Sequence, residues 1–125
     1  MPVVLDTNTL IRFFTNDVPV KALRVKDLLD NEKNLYIPEV VFPELEYILT
    51  QQYNTSKEKL LKIFQFLSSR NNIKLPHQIT KAIIIFEKTT LDMADSIIAA
   101  YAIKSSLASF DKELLEVEGV NPYWH

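Results

Sequence analysis

The sequence predicts an α/β domain in which a short, mostly parallel central sheet is flanked by helices. Short apolar segments alternate along the chain with longer segments whose apolar residues recur at helical spacing. Such alternation is typical of parallel strands joined by right-handed helical crossovers. The length of 125 residues suits one compact domain, so we expect a single domain over residues 1–125.

Each predicted element follows from a local pattern. Short apolar runs indicate buried strands, and apolar residues three or four apart indicate helices. Ser56 opens a helix and Asp92 is expected to cap one, while Pro43 falls in a first helical turn, where proline is tolerated. The predicted strands are residues 2–5, 35–37, 73–75, 107–110 and a segment near 120, and the predicted helices are residues 7–16, 20–32, 39–53, 56–69, 78–88, 91–103 and 112–115.

Composition excludes several classes of protein. The absence of Cys rules out disulfide frameworks and thiolate chemistry, and a single glycine, Gly119, rules out glycine-rich phosphate-binding loops. No apolar run is long enough to span a bilayer, and the first residues lack the pattern of a secretory signal. We therefore expect a soluble protein of the cytoplasm that has no membrane partner.

Charge is distributed unevenly, although the net charge is only −2. Residues 51–91 contain seven Lys and Arg against two Asp and Glu, and the segments on either side are acidic. A solvated helix face is the simpler explanation of the basic segment, and a surface that binds a polyanion is the alternative.

Four acidic residues lie at positions where parallel sheets commonly bind ligands. Asp6 ends the first predicted strand and Asp111 ends the fourth, while Glu44 and Asp95 lie in the first turns of helices. Because binding sites in such sheets form beyond the carboxyl ends of the strands, we expect the four carboxylates to converge. Helix capping is the alternative role for Asp6 and Asp111.

Converging carboxylates require a cation. Two unit charges about 4 Å apart repel by roughly 4 kcal/mol at an effective dielectric constant near 20. Oxygen ligands without Cys favour Mg²⁺ or Mn²⁺ over Zn²⁺, and such a cation activates water and binds a phosphodiester during in-line displacement. Metal-assisted hydrolysis of a phosphate ester is therefore the predicted chemistry.

Four segments together resemble the motifs of PIN-domain nucleases. An apolar strand that runs into Asp-Thr-Asn opens the family's pattern, and the later acidic positions of that pattern fall on Glu44, Asp95 and Asp111. All four motifs occur in order and cover nearly the whole chain. The matching segments are residues 5–11 (LDTNTLI), 41–49 (VFPELEYIL), 91–100 (LDMADSIIAA) and 109–112 (SFDK).

The resemblance implies a three-layer PIN-like domain that acts as a ribonuclease dependent on Mg²⁺ or Mn²⁺. Asn8 and Ser109 would be supporting polar groups that orient carboxylates or water. The chain departs from the family pattern at Ser109, where most members have Thr, and at Pro43, where a helix former is common. The catalytic acids and metal ligands implied by the resemblance are Asp6, Glu44, Asp95 and Asp111.

Within that family, the length and motif set look most like VapC-type toxins of prokaryotic toxin–antitoxin pairs. This likeness implies a homodimer, an RNA substrate and a small antitoxin whose C-terminal segment occupies the catalytic groove. An acidic pocket repels RNA, so basic groups nearby must hold the phosphates. The candidate RNA-binding residues are Arg12, Lys57, Lys59, Lys62 and Arg70.

The main alternative is a non-catalytic PIN-like module that binds metal or RNA, and the complete set of four acids argues against it. A receiver-type domain needs adjacent acids after the first strand, and a structure-specific DNA nuclease needs more acids and a helical arch. His77 and His125 are not expected to be ligands. Trp124 is expected to make a packing or dimer contact rather than stack on a base, and Tyr47 and Tyr53 are candidates for a dimer or antitoxin interface.

Overall fold

A computed structural model describes residues 1–124 and has the α/β fold that the sequence predicts. These residues form seven helices and five strands of two residues each. The helices are α1 (Thr7–Thr15), α2 (Pro19–Asn31), α3 (Val41–Tyr53), α4 (Lys57–Ser69), α5 (Ile79–Lys88), α6 (Met93–Ala102) and α7 (Lys112–Leu115). The strands are β1 (Val3–Val4), β2 (Leu35–Tyr36), β3 (Ile73–Lys74), β4 (Ser106–Leu107) and β5 (Asn121–Pro122).

The chain forms two compact units, Met1–Pro76 and a second unit that begins at His77. The first unit contains a parallel sheet with the strand order β1-β2-β3, in which Leu35 pairs with both Val3 and Ile73. In the second unit β4 and β5 form a separate parallel pair. The single domain over residues 1–125 stays a prediction, and His125 lies outside the described residues.

The core of the first unit holds α1 and α3 in place. Helix α1 packs against α2 and α3, and α3 packs against α4. Leu10, Phe42 and Phe64 are fully buried, and the rings of Phe42 and Phe64 lie 5.7 Å apart between their centroids. Burying each such side chain stabilises the fold by about 1.5–3 kcal/mol. The N-termini of α1 and α3, which carry two of the candidate acids, are therefore attached to a packed core.

The loop between α4 and β3 closes the C-terminal end of α2. Arg70 Nη2 and Asn72 Nδ2 both donate to the carbonyl oxygen of Leu29 at 2.8 Å, and Asn72 Nδ2 also donates to the carbonyl oxygen of Glu32 at 2.8 Å. The last carbonyls of a helix have no partner within the helix, so these side chains satisfy groups that would otherwise depend on water. The Arg70 guanidinium also lies 5.5 Å from the centroid of the Phe66 ring.

In the second unit α5 packs against α6, and α6 packs against α7. Small side chains at Ala99 and Ala100 are buried in α6. The N-terminus of α6 is capped as predicted, because Asp92 Oδ1 accepts a hydrogen bond from the backbone N–H of Asp95 at 2.8 Å. No helix among residues 1–124 is both long and apolar enough to cross a membrane.

Two strand predictions were wrong. The first strand is not fully buried, because Val3 and Val4 are both exposed. The fourth strand ends at Leu107 instead of running over residues 107–110, so Asp111 lies four residues beyond it. A short apolar run has no period that separates a buried strand from an exposed segment, and the ring of Phe110 packs on Trp124 instead of entering a sheet.

Candidate active site

Asp6 connects β1 to α1 and caps that helix. Its Oδ1 accepts a hydrogen bond from the backbone N–H of Thr9 at 2.9 Å. This bond, together with a smaller contribution from the Thr9 side chain, holds the pKa of Asp6 below its ordinary value of 3.8, against the opposing effect of desolvation. The capping alternative is therefore confirmed, and the side chain is an exposed carboxylate that stays ionised near neutral pH.

Glu44 lies in the first turn of α3, as predicted, one residue after Pro43. Its Oε1 accepts a hydrogen bond from the hydroxyl of Thr7 at 2.5 Å. Thr7 is buried and directly follows Asp6 in the chain. The bond therefore holds the Glu44 carboxylate at Thr7, the neighbour of Asp6 in the sequence. Pro43 is the third residue of α3, where a backbone N–H would have no helical partner, so it does not disturb the helix.

Asp95 lies in the first turn of α6 and is half-buried. Desolvation, followed by the negative charges of Asp92, Asp111 and Glu113, raises the pKa of Asp95 above its ordinary value of 3.8. The second unit thus brings Asp95 within the electrostatic range of three other carboxylates. An ionised Asp95 is unfavourable there unless a cation offsets the repulsion.

Asp111 precedes α7 and caps it, as its alternative role predicts. Asp111 Oδ1 accepts a hydrogen bond from the backbone N–H of Leu114 at 3.3 Å. The Oγ of Ser109 accepts one from the backbone N–H of Asp111 at 3.0 Å, so the hydroxyl retained at this position orders the turn that carries the acid. Asn8, the other proposed supporting residue, is exposed in the first turn of α1.

Two residues of the site were missed from the sequence. Thr7 was interpreted only as a residue that opens a helix, and its bond to Glu44 joins residues 37 apart in the chain. Glu113 acts on the pKa of Asp95, and its Oε2 accepts a hydrogen bond from the Thr90 hydroxyl at 3.1 Å. The position of Thr7 in the Asp-Thr-Asn string could have identified it as a site residue. For Glu113, only its position two residues after Asp111 could have done so.

The four predicted acids fall into two pairs, Asp6 with Glu44 in the first unit and Asp95 with Asp111 in the second. Among residues 1–124, no group of three or more Asp, Glu, His or Cys side chains is arranged to hold a metal ion. The chemistry of the donors fits a hard divalent cation, because all four are carboxylates and the pKa of Asp95 is raised by its acidic neighbours. The ligand assignments themselves stay a prediction.

The predicted RNA-binding residues differ in their surroundings. Arg12 Nη1 donates to Asp17 Oδ2 at 2.7 Å, and Arg70 caps α2 as described above. Lys62 Nζ lies 3.8 Å from Glu58 Oε1, a long ion pair between exposed side chains. Lys59 borders a cavity of about 390 Å³ with a partly apolar lining. The two arginines therefore contact other parts of the chain, and the three lysines all lie on α4.

The PIN domain family model matches residues 3–120, a range that contains all four acids. The chain therefore belongs to the PIN domain family. PIN domains are generally nucleases that bind RNA and use divalent metal ions. Neither the curated proteins nor the solved structures provide a match to this chain.

Proposed function

We propose that this protein is an endoribonuclease that hydrolyses RNA phosphodiesters with Mg²⁺ or Mn²⁺. The observation that carries the proposal is the match of the PIN domain family to residues 3–120, a range that contains all four acids, since PIN domains are generally nucleases. The environment of Asp95 supports it, because burial and the charges of Asp92, Asp111 and Glu113 raise its pKa and a divalent cation would offset that repulsion. The proposed catalytic acids and metal ligands are Asp6, Glu44, Asp95 and Asp111.

A bound Mg²⁺ or Mn²⁺ supplies a Lewis acid that polarises the phosphate and makes water more acidic. The lowered pKa of Asp6 keeps this carboxylate ionised and suits it to direct ligation. Burial and acidic neighbours oppose the charge of Asp95, which suits this residue to hold a cation that would offset the repulsion. Glu44 is oriented by the Thr7 hydroxyl, and the turn that carries Asp111 is ordered by Ser109.

The test is cleavage of total cellular RNA by the purified protein with Mg²⁺ or Mn²⁺, with EDTA, and by the Asp6→Asn variant. We expect cleavage that requires the metal and disappears in the variant. Asp27→Asn is the matched control, because it makes the same chemical change at an exposed position of α2. Absence of cleavage by the wild-type protein in both metals would contradict the proposal and favour the non-catalytic binding module.

The lysines of α4, Lys57, Lys59 and Lys62, are proposed to contact RNA phosphates. Two observations support this proposal: basic residues outnumber acidic ones within residues 51–91, and all three lysines lie on one helix. Replacing them together by Ala should weaken RNA binding and flatten its dependence on salt, by about 0.7 in the logarithmic slope for each phosphate that is no longer neutralised. Alanine at Lys21, Lys26 and Lys33 removes the same charge elsewhere, and an equal effect there would reject a specific role for α4.

We further propose that the protein is the VapC-type toxin of a toxin–antitoxin pair and acts in the cytoplasm as a homodimer inhibited by a small antitoxin. Exposed apolar side chains that a second copy or an antitoxin would cover support this proposal, among them Tyr47, Ile84 and Ile98. Tyr53, the other candidate interface residue, donates its hydroxyl to Asp17 Oδ2 at 2.8 Å. Induced expression in bacteria should arrest growth, and Asp6→Asn should abolish the arrest. Sedimentation that gives a monomer would reject the dimer.

A further inference from the structure

Three exposed aromatic residues form a cluster in the second unit. The rings of Phe110 and Trp124 are stacked, with centroids 4.8 Å apart and planes inclined by 7°. Tyr123 meets Trp124 edge-on, with centroids 5.5 Å apart and an angle of 82°. Phe110 is 90% exposed, Trp124 is 52% exposed and Tyr123 is 62% exposed. The rings therefore pack on one another at the surface and present aromatic faces to solvent.

The cluster is held by backbone on both of its sides. Phe110 stands between Ser109 and Asp111, whose turn is ordered by the Ser109 hydroxyl and by the cap of α7. Tyr123 directly follows β5, which pairs with β4. Its backbone N–H donates to the carbonyl oxygen of Leu107 at 2.8 Å. The backbone on both sides of the rings is therefore ordered, which reduces the conformational entropy that a stacking ligand has to remove.

We propose that the Phe110–Trp124 pair is a stacking platform for an unpaired RNA base beside the phosphate served by Asp111. This inference rests on the proposed ribonuclease function. Aromatic side chains bind single strands by stacking on base faces, which all four bases possess. Phe110 directly precedes Asp111 in the chain, so we place the stacked base in a nucleotide next to the scissile phosphate.

The exposed area of the cluster favours a base over a protein partner. Residues 92–125 contain six Asp and Glu against two Lys and Arg, so stacking, and not contact with phosphates, has to supply the binding energy at this surface. Phe110, Tyr123 and Trp124 together expose roughly 400 Å², about half of the 800 Å² that each partner buries in a standard protein interface. An area of this size suits one or two bases.

The experiment uses Trp124 as the reporter, because it is the only Trp in the sequence. Proteins carrying Asp6→Asn, in Mg²⁺, are titrated with a fluorescein-labelled oligoadenylate of eight nucleotides and with an abasic strand of the same length. Tryptophan emission is followed with the unlabelled strands, and affinity is measured by fluorescence anisotropy. We expect saturable quenching by the oligoadenylate and none by the abasic strand.

Variants separate the platform from a general surface effect. Phe110→Leu and Trp124→Leu should weaken binding of the oligoadenylate by roughly five- to hundredfold, the effect of removing one stacked base, and Phe110→Tyr should retain wild-type affinity. Tyr101→Leu is the matched control, because Tyr101 is 55% exposed and should not affect RNA binding. Unchanged affinity in Phe110→Leu, with unchanged emission at saturation, would overturn the proposal.

Three further outcomes separate this inference from others. If Phe110→Leu changes the sedimentation of the protein and leaves its RNA affinity unchanged, the cluster is a protein interface and the proposal is rejected. If the protein without Asp6→Asn cleaves RNA and the leucine variants bind as tightly as their parent, the platform is rejected and the nuclease stands. Saturable quenching by a protein that never cleaves RNA would keep the platform and reject the nuclease.

Discussion

At the scale of single residues, one hydroxyl decides how Glu44 is oriented. Thr7 is buried and cannot turn towards solvent, whereas Glu44 is exposed and would otherwise sample several rotamers. Their hydrogen bond is therefore a positioning contact, in which a fixed donor selects one arrangement of a mobile carboxylate. Displacement of a reacting group by about 1 Å can reduce a rate by as much as 10²-fold.

Replacing Thr7 by Val keeps the shape of the side chain and removes the hydroxyl. We expect the rate of RNA cleavage to fall by about tenfold or more, and the free energy of unfolding to fall by about 1 kcal/mol. Cleavage of a labelled RNA and urea denaturation measure the two effects. Thr7→Ser keeps the donor and should stay close to the wild type. A Val variant with the wild-type rate would show that Glu44 needs no such support.

Asp95 carries a charge that its surroundings oppose in the folded protein. Burial and three acidic neighbours oppose its ionisation, so Asp95→Asn should raise the melting temperature in EDTA. The same change should reduce the rise in melting temperature that Mg²⁺ produces in the wild type, because one proposed ligand is removed. Thermal unfolding with and without Mg²⁺ measures both, with Asp27→Asn as the control. An Asn variant that Mg²⁺ stabilises as much as the wild type would remove Asp95 from the metal ligands.

At the scale of elements, helix boundaries were predicted closely and strands were not. Ser56, Asp92 and Asp111 cap α4, α6 and α7 with their own side chains, so each signal lies within three residues of the helix it starts. Strands of two residues carry too little pattern to define their ends or their burial. The prediction therefore extended the fourth strand through Phe110.

The junction between α1 and α2 is attached to the end of α3 through Asp17. The hydroxyl of Tyr53, above all, and then Thr15 and Arg12 hold the pKa of Asp17 below 3.8, against desolvation. Because this pKa is lower in the folded chain than in the unfolded chain, the resulting stability is present above the ordinary Asp pKa. It is lost as the pH falls through the lowered value.

Tyr53→Phe removes the largest of these contributions. We expect the variant to be less stable than the wild type at neutral pH, and the difference in free energy of unfolding to shrink below about pH 4, near the ordinary Asp pKa. Urea denaturation at a series of pH values measures the difference. Tyr47→Phe serves as the control, since it removes a hydroxyl at another exposed position of α3. A difference that does not depend on pH would rule out Asp17 as the cause.

At the scale of the whole molecule, the contacts that the sequence did not reveal join distant parts of the chain. Asp6, Glu44, Asp95 and Asp111 were proposed as site residues because each lies in a short recognisable string. The Thr7–Glu44 bond and the Phe110–Trp124 stack link residues 37 and 14 positions apart, and no local pattern contains either pair. Such pairings depend on the packing of the folded chain, which local propensity does not specify.

We propose that residues 1–125 unfold as one domain, because the PIN family match extends from residue 3 to 120 across the boundary at Pro76. Trp124 emission reports on the second unit, and far-ultraviolet circular dichroism reports on the helices of both. We expect the two signals to give the same midpoint in urea, as a cooperative transition requires. Separate midpoints would show that the two units unfold independently.

The side chains of Arg70 and Asn72 have a practical consequence for protein engineering. A polar surface connection between a helix and a strand is ordinarily a tolerant place for an epitope tag or for new chain termini. Here the connection also holds the carbonyls of Leu29 and Glu32, about 40 residues earlier. An insertion between residues 70 and 72 would separate the two donors and fray α2. We therefore expect proteases to cut such a fusion near residues 29–32, far in sequence from the inserted tag.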